Sequence, residues 1–280
     1  MCGGRIARRR HTVKSPKEHS LERRFLALFE SGSTSAKLAK ALTDDVEIQA
    51  VQDYGNSVSI KRMGFNDHGP VHMRQVAYNA TVMLDLLRQA GVHTCLEQEG
   101  TGTYDDSLCA VVLASFLHDL GMTIGRQDHE LLSCVLAQPI IDRILLGVLP
   151  DDLHRRVVIR SLALEGIFGH MATRRIHSLE AGLILVADGC DMEKGRARIP
   201  MALSTAPKTG DIHKYSANSI ENVSIDAGEN RPIKISVEMS SDVGLFQIEE
   251  VLLPKINMSP VKPYIELHAH VTGQEPKQYL

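Results

Sequence analysis

Six side chains of this sequence share one chemistry. His72, His118, Asp119, His129, His170 and Asp188 are imidazole and carboxylate donors. Apart from the adjacent pair His118–Asp119, each falls on a different helical segment. Inward-facing donors on several helices are how a bundle builds a metal site. The local sequences point to burial, since "FLHDLG" (116–121) and "ILVADGCD" (184–191) both place a carboxylate straight after an apolar run. Burying an ionised carboxylate costs several kcal/mol unless another charge compensates it, so two such carboxylates beside several histidines call for a cation. Mixed imidazole and carboxylate ligands suit Mn, Fe, Co, Ni, Zn or Mg and do not select among them.

The remaining histidines read differently. His93, His154 and His213 have no partners in the pattern, and His68 in "NDHGP" suits a loop or capping role before the Pro that starts a helix. His268 and His270 share the polar face of a strand, where solvation is the default. Arg174 and Arg175 read as surface charge.

The elements that carry the donors are mostly helices. Helical patterns run over 21–30 and 34–43, separated by a Ser/Gly stretch. A stronger pattern spans 70–89, with Pro70 in its first turn and Gly91 past its end, and Val76, Ala80, Met83, Leu84 and Leu87 on one face. Asp105 or Asp106 caps a helix over 107–120 that Gly121 terminates. Further helices begin near Asp128, bent or split by Pro139, at Asp151 or Asp152, and at Ser178, the last ending at Gly195. Near residue 205 the period falls to two. Val223, Ile225 and Ala227 alternate with polar residues, as do Ile233, Ile235, Val237 and Met239, and again Ile265, Leu267, Ala269 and Val271. With a helical face over 245–256, this reads as a β-β-α-β layer. The expected fold is mainly α: a basic tail over 1–20, a helical metal-binding bundle over 21–204 and a small α+β domain over 205–280.

Composition narrows the class. The chain has 280 residues, 43% hydrophobic and 23% charged, with no Trp and 4% aromatics, so its core is aliphatic. A net charge of −3 gives no global reason to expect a polyanionic partner, and only the tail, with Arg5, Arg8, Arg9 and Arg10, is locally basic. Nucleic-acid binding through that tail is the weakest functional reading. Five scattered cysteines without a CxxC suit reduced thiols in a cytoplasm. No signal-peptide pattern or membrane-length apolar run is expected.

His72, the His118–Asp119 doublet and Asp188 in "VADGCDMEKGR" together resemble the His…His-Asp…Asp signature of the HD superfamily of metal-dependent phosphohydrolases, over roughly residues 60–200. "FNDHGPVHMRQVA" and "GRARIP" resemble a subset of small prokaryotic HD proteins that carry a β-containing C-terminal extension, like residues 205–271 here. The resemblance implies an HD-type helical bundle in which His72, His118, Asp119 and Asp188 hold one divalent ion. Where members bind a second, Asp119 would bridge, with His129 and His170 as added ligands and His177 in reserve. Such ions lower the pKa of water from about 15.7 to about 7 and polarise a phosphoryl oxygen. Asp119 is then the central catalytic group. Lys194, Arg196 and Arg198, close behind Asp188, are expected to meet the phosphate, ahead of Arg126.

Members that cleave cyclic dinucleotides often have Lys in a His-Asp-x-Gly-Lys pattern and a later His-His pair. Here Met122 follows Gly121 and Met171 follows His170, which favours a smaller nucleotide or phosphoester. The expected activity is hydrolysis of such a small phosphorylated substrate by a homodimer paired through the C-terminal layer. A non-catalytic, nucleotide-sensing module with a structural metal is the alternative.

Overall fold

A computed structural model describes residues 14–194 and 212–280. The chain opens with α1 (Pro16–Leu26), α2 (Thr34–Asp44) and α3 (Val46–Val58). α1 starts earlier than its apolar pattern, because Ser15 and Glu18 form a capping box and Pro16 takes the first turn. α3 is continued by a π-helical turn over Ser59–Met63 that Gly64 ends at φ 71°, in the left-handed region. α4 (Pro70–Gln89) and the short α5 (Cys95–Glu99) follow. α6 (Tyr104–Leu117) is buried at every position from Asp106 to Leu117, and α2, α4 and α8 (Leu153–Gly169) pack around it. Thr103 is its cap, closing a capping box with Asp106, where the sequence pointed to Asp105 or Asp106 as the cap itself.

Gly121 has a different task from the one expected. α6 has already ended, and Gly121 lies in a 3₁₀ turn over Leu120–Thr123. A Cβ there would lie 2.1 Å from the His129 carbonyl oxygen, and its N–H donates to Ser133 Oγ at 2.8 Å. It lets the doublet turn press against the first turn of α7 (His129–Val148). Gly121→Ala is expected to destabilise the fold by about 1–3 kcal/mol or more through this overlap, read as a lowered midpoint in urea unfolding with an unchanged slope.

α7 runs through Pro139 as one helix, so the chain is not split there. Among the described residues it is the one helix long and apolar enough, by length and composition, to cross a membrane, with a mean hydropathy of 1.7 over its most apolar window, although Glu130, Asp142 and Arg143 interrupt its apolar run. Its first turn buries His129 and Glu130, and it packs on α8, α2 and the 3₁₀ turn. Asp152 caps α8 and Ser178 caps α9 (Leu179–Cys190), which ends at Cys190, before the Gly195 expected.

The C-terminal layer follows α10 (Ile212–Ser219). Its strands β1 (Ile220–Ala227), β2 (Ile233–Met239), β3 (Ile265–Val271) and β4 (Lys277–Gln278) lie in that order in one sheet. β2 and β3 are parallel, with Ile235 opposite Leu267 and Val237 opposite Ala269, so one face of both is buried. The edge strand β1 is shallower: Val223 and Ile225 are half-buried and Ala227 is exposed. The β2–β3 crossover is helical, from α11 (Leu245–Gln247) through a π turn over Ile248–Leu252 into α12 (Leu253–Met258). Most buried apolar side chains of bundle and layer form one continuous cluster, with Ile176, Ala181 and Leu185 in a small second one.

Candidate metal centre

The six donors picked from the sequence converge, because five helix ends meet at one point. His72 lies in the first turn of α4, and His129 is the first residue of α7. His118 and His170 are the C-caps of α6 and α8, and Asp188 stands in the last turn of α9. The C-terminal ends of α6, α8 and α9 bring three negative dipole ends to the site against the two positive N-terminal ends of α4 and α7, a balance that favours a cation. His72, His118, Asp119, His129 and His170 are all buried, at 4% exposure or less.

One local device aims three of the rings. The Nδ1 of His118 donates to the carbonyl of Ser115 (3.0 Å), that of His129 to Arg126 (2.9 Å) and that of His170 to Ile167 (2.6 Å). Each acceptor is three residues back, and for His118 and His170 it is one of the last-turn carbonyls that a helix leaves unpaired. His72 donates instead to Asp191 Oδ2 at 2.6 Å. A carbonyl can only accept, so the ring proton sits on Nδ1 and each Nε2 turns a lone pair inward.

The inward atoms form two groups. Nε2 of His72 and of His118 are each 3.5 Å from Asp119 Oδ2 and 3.1 Å from one another, while Asp188 Oδ1 lies 3.2 Å from His72 Nε2. Nε2 of His129 and of His170 lie 3.1 and 3.4 Å from the other oxygen, Asp119 Oδ1, and 3.0 Å apart. The two groups, His72–His118–Asp119 and Asp119–His129–His170, each bring three donor atoms close enough to hold one ion. Within each group two imidazole lone pairs face one another at hydrogen-bond distance. In the first group protonation does not relieve this, since burial pushes His118 down to about 3. A divalent cation does, so the residues present fit a metal.

The carboxylates stay ionised. Burial pushes Asp119 up, but the imidazoles of His118, His129, His170 and His72 that face it hold it well below the usual carboxylate range. Burial raises Asp188 too, and the ammonium of Lys255, with His72, outweighs it and holds it well below that range. A pH dependence follows. His118 has a folded pKa of about 3 against 6.5 in the open chain, so below 6.5 the unfolded state takes up the extra proton. Metal-free protein is therefore expected to lose stability as pH falls from about 6.5 toward 3, with a limiting slope of about 1.4 kcal/mol per unit. Urea midpoints at pH 7, 6 and 5 check it; His118→Gln should flatten the trend.

The other sequence candidates divide. Lys194 is exposed and paired with Glu221, its backbone bonded to Ile220, so it is not at the site; Arg196 and Arg198 lie outside the described residues. His177 is exposed. His68 is half-buried, bonded to Asn66 and Ser59, with its ring 5.8 Å from that of His72. Arg126 does reach the site, with its Nη1 3.4 Å from His129 Nε2. Two residues were missed. Asp191, visible in "ADGCD", orients His72. Lys255, on α12, bonds Asp188 Oδ2 and the His170 carbonyl, and sixty-seven residues of chain separate it from Asp188, so no local pattern could reveal it. A cavity of about 570 Å³ opens beside the donors, lined among others by Phe65, His68, Asp119, Arg126, Asp188 and Lys255.

Over 252 residues the chain is 35% identical to the uncharacterized protein MJ1020 of Methanocaldococcus jannaschii, covering 89% of this chain and 95% of that one. No protein-family model matches the chain, and no solved structure matches it.

Proposed function

The chain belongs to the same family as that uncharacterized Methanocaldococcus jannaschii protein, and from there we propose that it is an HD-type, metal-dependent phosphohydrolase acting on a nucleotide or related phosphate ester. One observation carries the reading: two pairs of inward Nε2 atoms share the two oxygens of Asp119. A bridging carboxylate with imidazoles on both sides is the donor set of a two-ion phosphoryl-transfer site. Bound there, divalent ions supply Lewis acidity toward a phosphoryl oxygen and toward water.

The chain's own groups do the rest. His72, His118, Asp119 and Asp188 form one ligand set, and Asp119, His129 and His170 the other. Arg126 serves the phosphate. Its guanidinium rests against the sulfurs of Met122 (4.0 Å) and Met171 (3.6 Å) and over the Phe65 ring (5.7 Å). Among the described residues no carboxylate pairs with it, so its charge, with the donors not turned to His129, remains for an anion at the cavity. Arg126 thus takes the part that the sequence offered first to Lys194. Met122 is fully buried, and its thioether seats this arginine.

The test is metal analysis of the purified full chain, followed by a screen of phosphomonoesters and phosphodiesters with Mn²⁺, Ni²⁺ or Mg²⁺. Stoichiometric metal with hydrolysis supports the reading. A chain that takes up no Mn²⁺ or Ni²⁺ overturns it, and full occupancy with no hydrolysis of any ester favours nucleotide sensing. Arg126→Ala is expected to raise KM about 10- to 100-fold, the range for losing a charged hydrogen bond, with metal content unchanged.

A further inference from the structure

α9 carries Asp188, and the face of α9 that receives the C-terminal segment has two glycines seven residues apart. A Cβ on Gly182 would lie 2.6 Å from Ser259 Oγ and 3.0 Å from Pro260 Cδ. One on Gly189 would lie 3.1 Å from both Leu252 Cδ1 and Lys255 Cδ. Ser259 Oγ donates to the Gly182 carbonyl at 3.0 Å, closing the seam. The missing side chains let α12 approach α9 closely enough for the aliphatic stem of Lys255 to pass over Gly189. The stem is enclosed, leaving Lys255 8% exposed.

Its ammonium ends between the two donor groups. It bonds Asp188 Oδ2, whose partner oxygen Oδ1 faces His72 and His118, and it donates to the His170 carbonyl at 3.0 Å. Nε2 of the same His170 faces Asp119 Oδ1. One buried side chain therefore holds a member of each group, and it comes from the α+β layer rather than from the bundle. We propose that Lys255 is a positioning residue that sets the spacing between the two cation subsites, so that the C-terminal layer completes the metal centre. The inference rests on the two-ion reading above.

The sign of one measurement decides it. A fixed positive charge beside a cation site weakens that site by Coulomb repulsion, so a purely electrostatic Lys255 predicts tighter metal binding once it is neutralised. A positioning Lys255 predicts the opposite. Losing a group that orients a ligand lowers metal affinity about 10- to 100-fold. Metal-free full-length chain is titrated with Mn²⁺ by calorimetry, and electron paramagnetic resonance reports whether two ions share a bridge. Wild type is expected to bind two ions with an exchange-coupled signal. Lys255→Met should weaken at least one site by that factor and give an uncoupled, single-ion signal at one equivalent, with helical circular dichroism retained. Lys255→Arg keeps the charge and alters the reach, and should fall between the two. Wild-type affinity and coupling in Lys255→Met, or tighter binding, overturn the proposal. Where Lys255→Met does not fold, wild-type affinity and coupling in Lys255→Arg overturn it. A wild type that binds no Mn²⁺ overturns the metal reading and this inference together. A wild type that binds a coupled pair beside an unaffected Lys255→Met overturns this inference alone.

Discussion

Asp119→Asn is expected to empty both cation subsites at once and abolish hydrolysis, because this carboxylate alone belongs to both donor groups. The change is nearly isosteric, but it removes the charge and turns one oxygen into an N–H donor. Whichever way the amide settles, one imidazole pair loses its carboxylate oxygen: His72 and His118 on Oδ2, or His129 and His170 on Oδ1. The remaining oxygen is neutral, so the second group weakens as well. Losing the several kcal/mol of charge stabilisation that metal ions give a phosphoryl-transfer transition state lowers the rate about a thousandfold or more. Elemental analysis and single-substrate kinetics measure both effects on one preparation. His129→Ala should spare the His72 group and leave one ion per chain. An Asp119→Asn protein that keeps two ions and near-wild-type turnover would refute the bridging role.

Chelation should have the largest effect on stability. Asp119, Asp188 and Asp191 bring three carboxylates to one buried region, where Lys255 bonds Asp188. The facing Nε2 pairs of His72 and His118, and of His129 and His170, add lone-pair repulsion. An ion bound only by the folded state stabilises it by about 4 kcal/mol at a thousand times its Kd. In a chain of this size each kcal/mol moves Tm by about 2–4 °C, so exhaustive treatment with a chelator should lower Tm by on the order of 10 °C. Added Mn²⁺ or Ni²⁺ should restore it. Superimposable melting curves with and without chelator, on protein shown to have carried metal, would contradict this account.

What was legible in the sequence followed from local energetics. Burial of an ionised carboxylate demands compensation, so an Asp directly after an apolar run, at 119 and at 188, marks a site before any fold is known. The last-turn positions of His118 and His170 also follow from local pattern, and so do the period-two strands of the C-terminal layer. α3 escaped because its buried face is broken by polar residues between Ile48 and Val58: Gln52 donates to the Phe116 carbonyl, and Gln49 accepts from Arg74. Hydrogen bonds to distant partners replace the apolar stripe that reveals a helix.

The donors of the site were thus determined by the sequence alone, since the types and flanks of His72, His118, Asp119, His129, His170 and Asp188 are local facts. Which cation stands beside them was decided only in three dimensions. Lys194 follows Asp188 closely along the chain, yet the backbone leaves α9 at Cys190 and carries Lys194 to Glu221 on β1. Lys255 is far along the chain, yet Gly182 and Gly189 let α12 seat against α9 and bring its ammonium to Asp188. Closeness in sequence constrains a side chain only within one element; between elements, the shapes that pack together choose the neighbours.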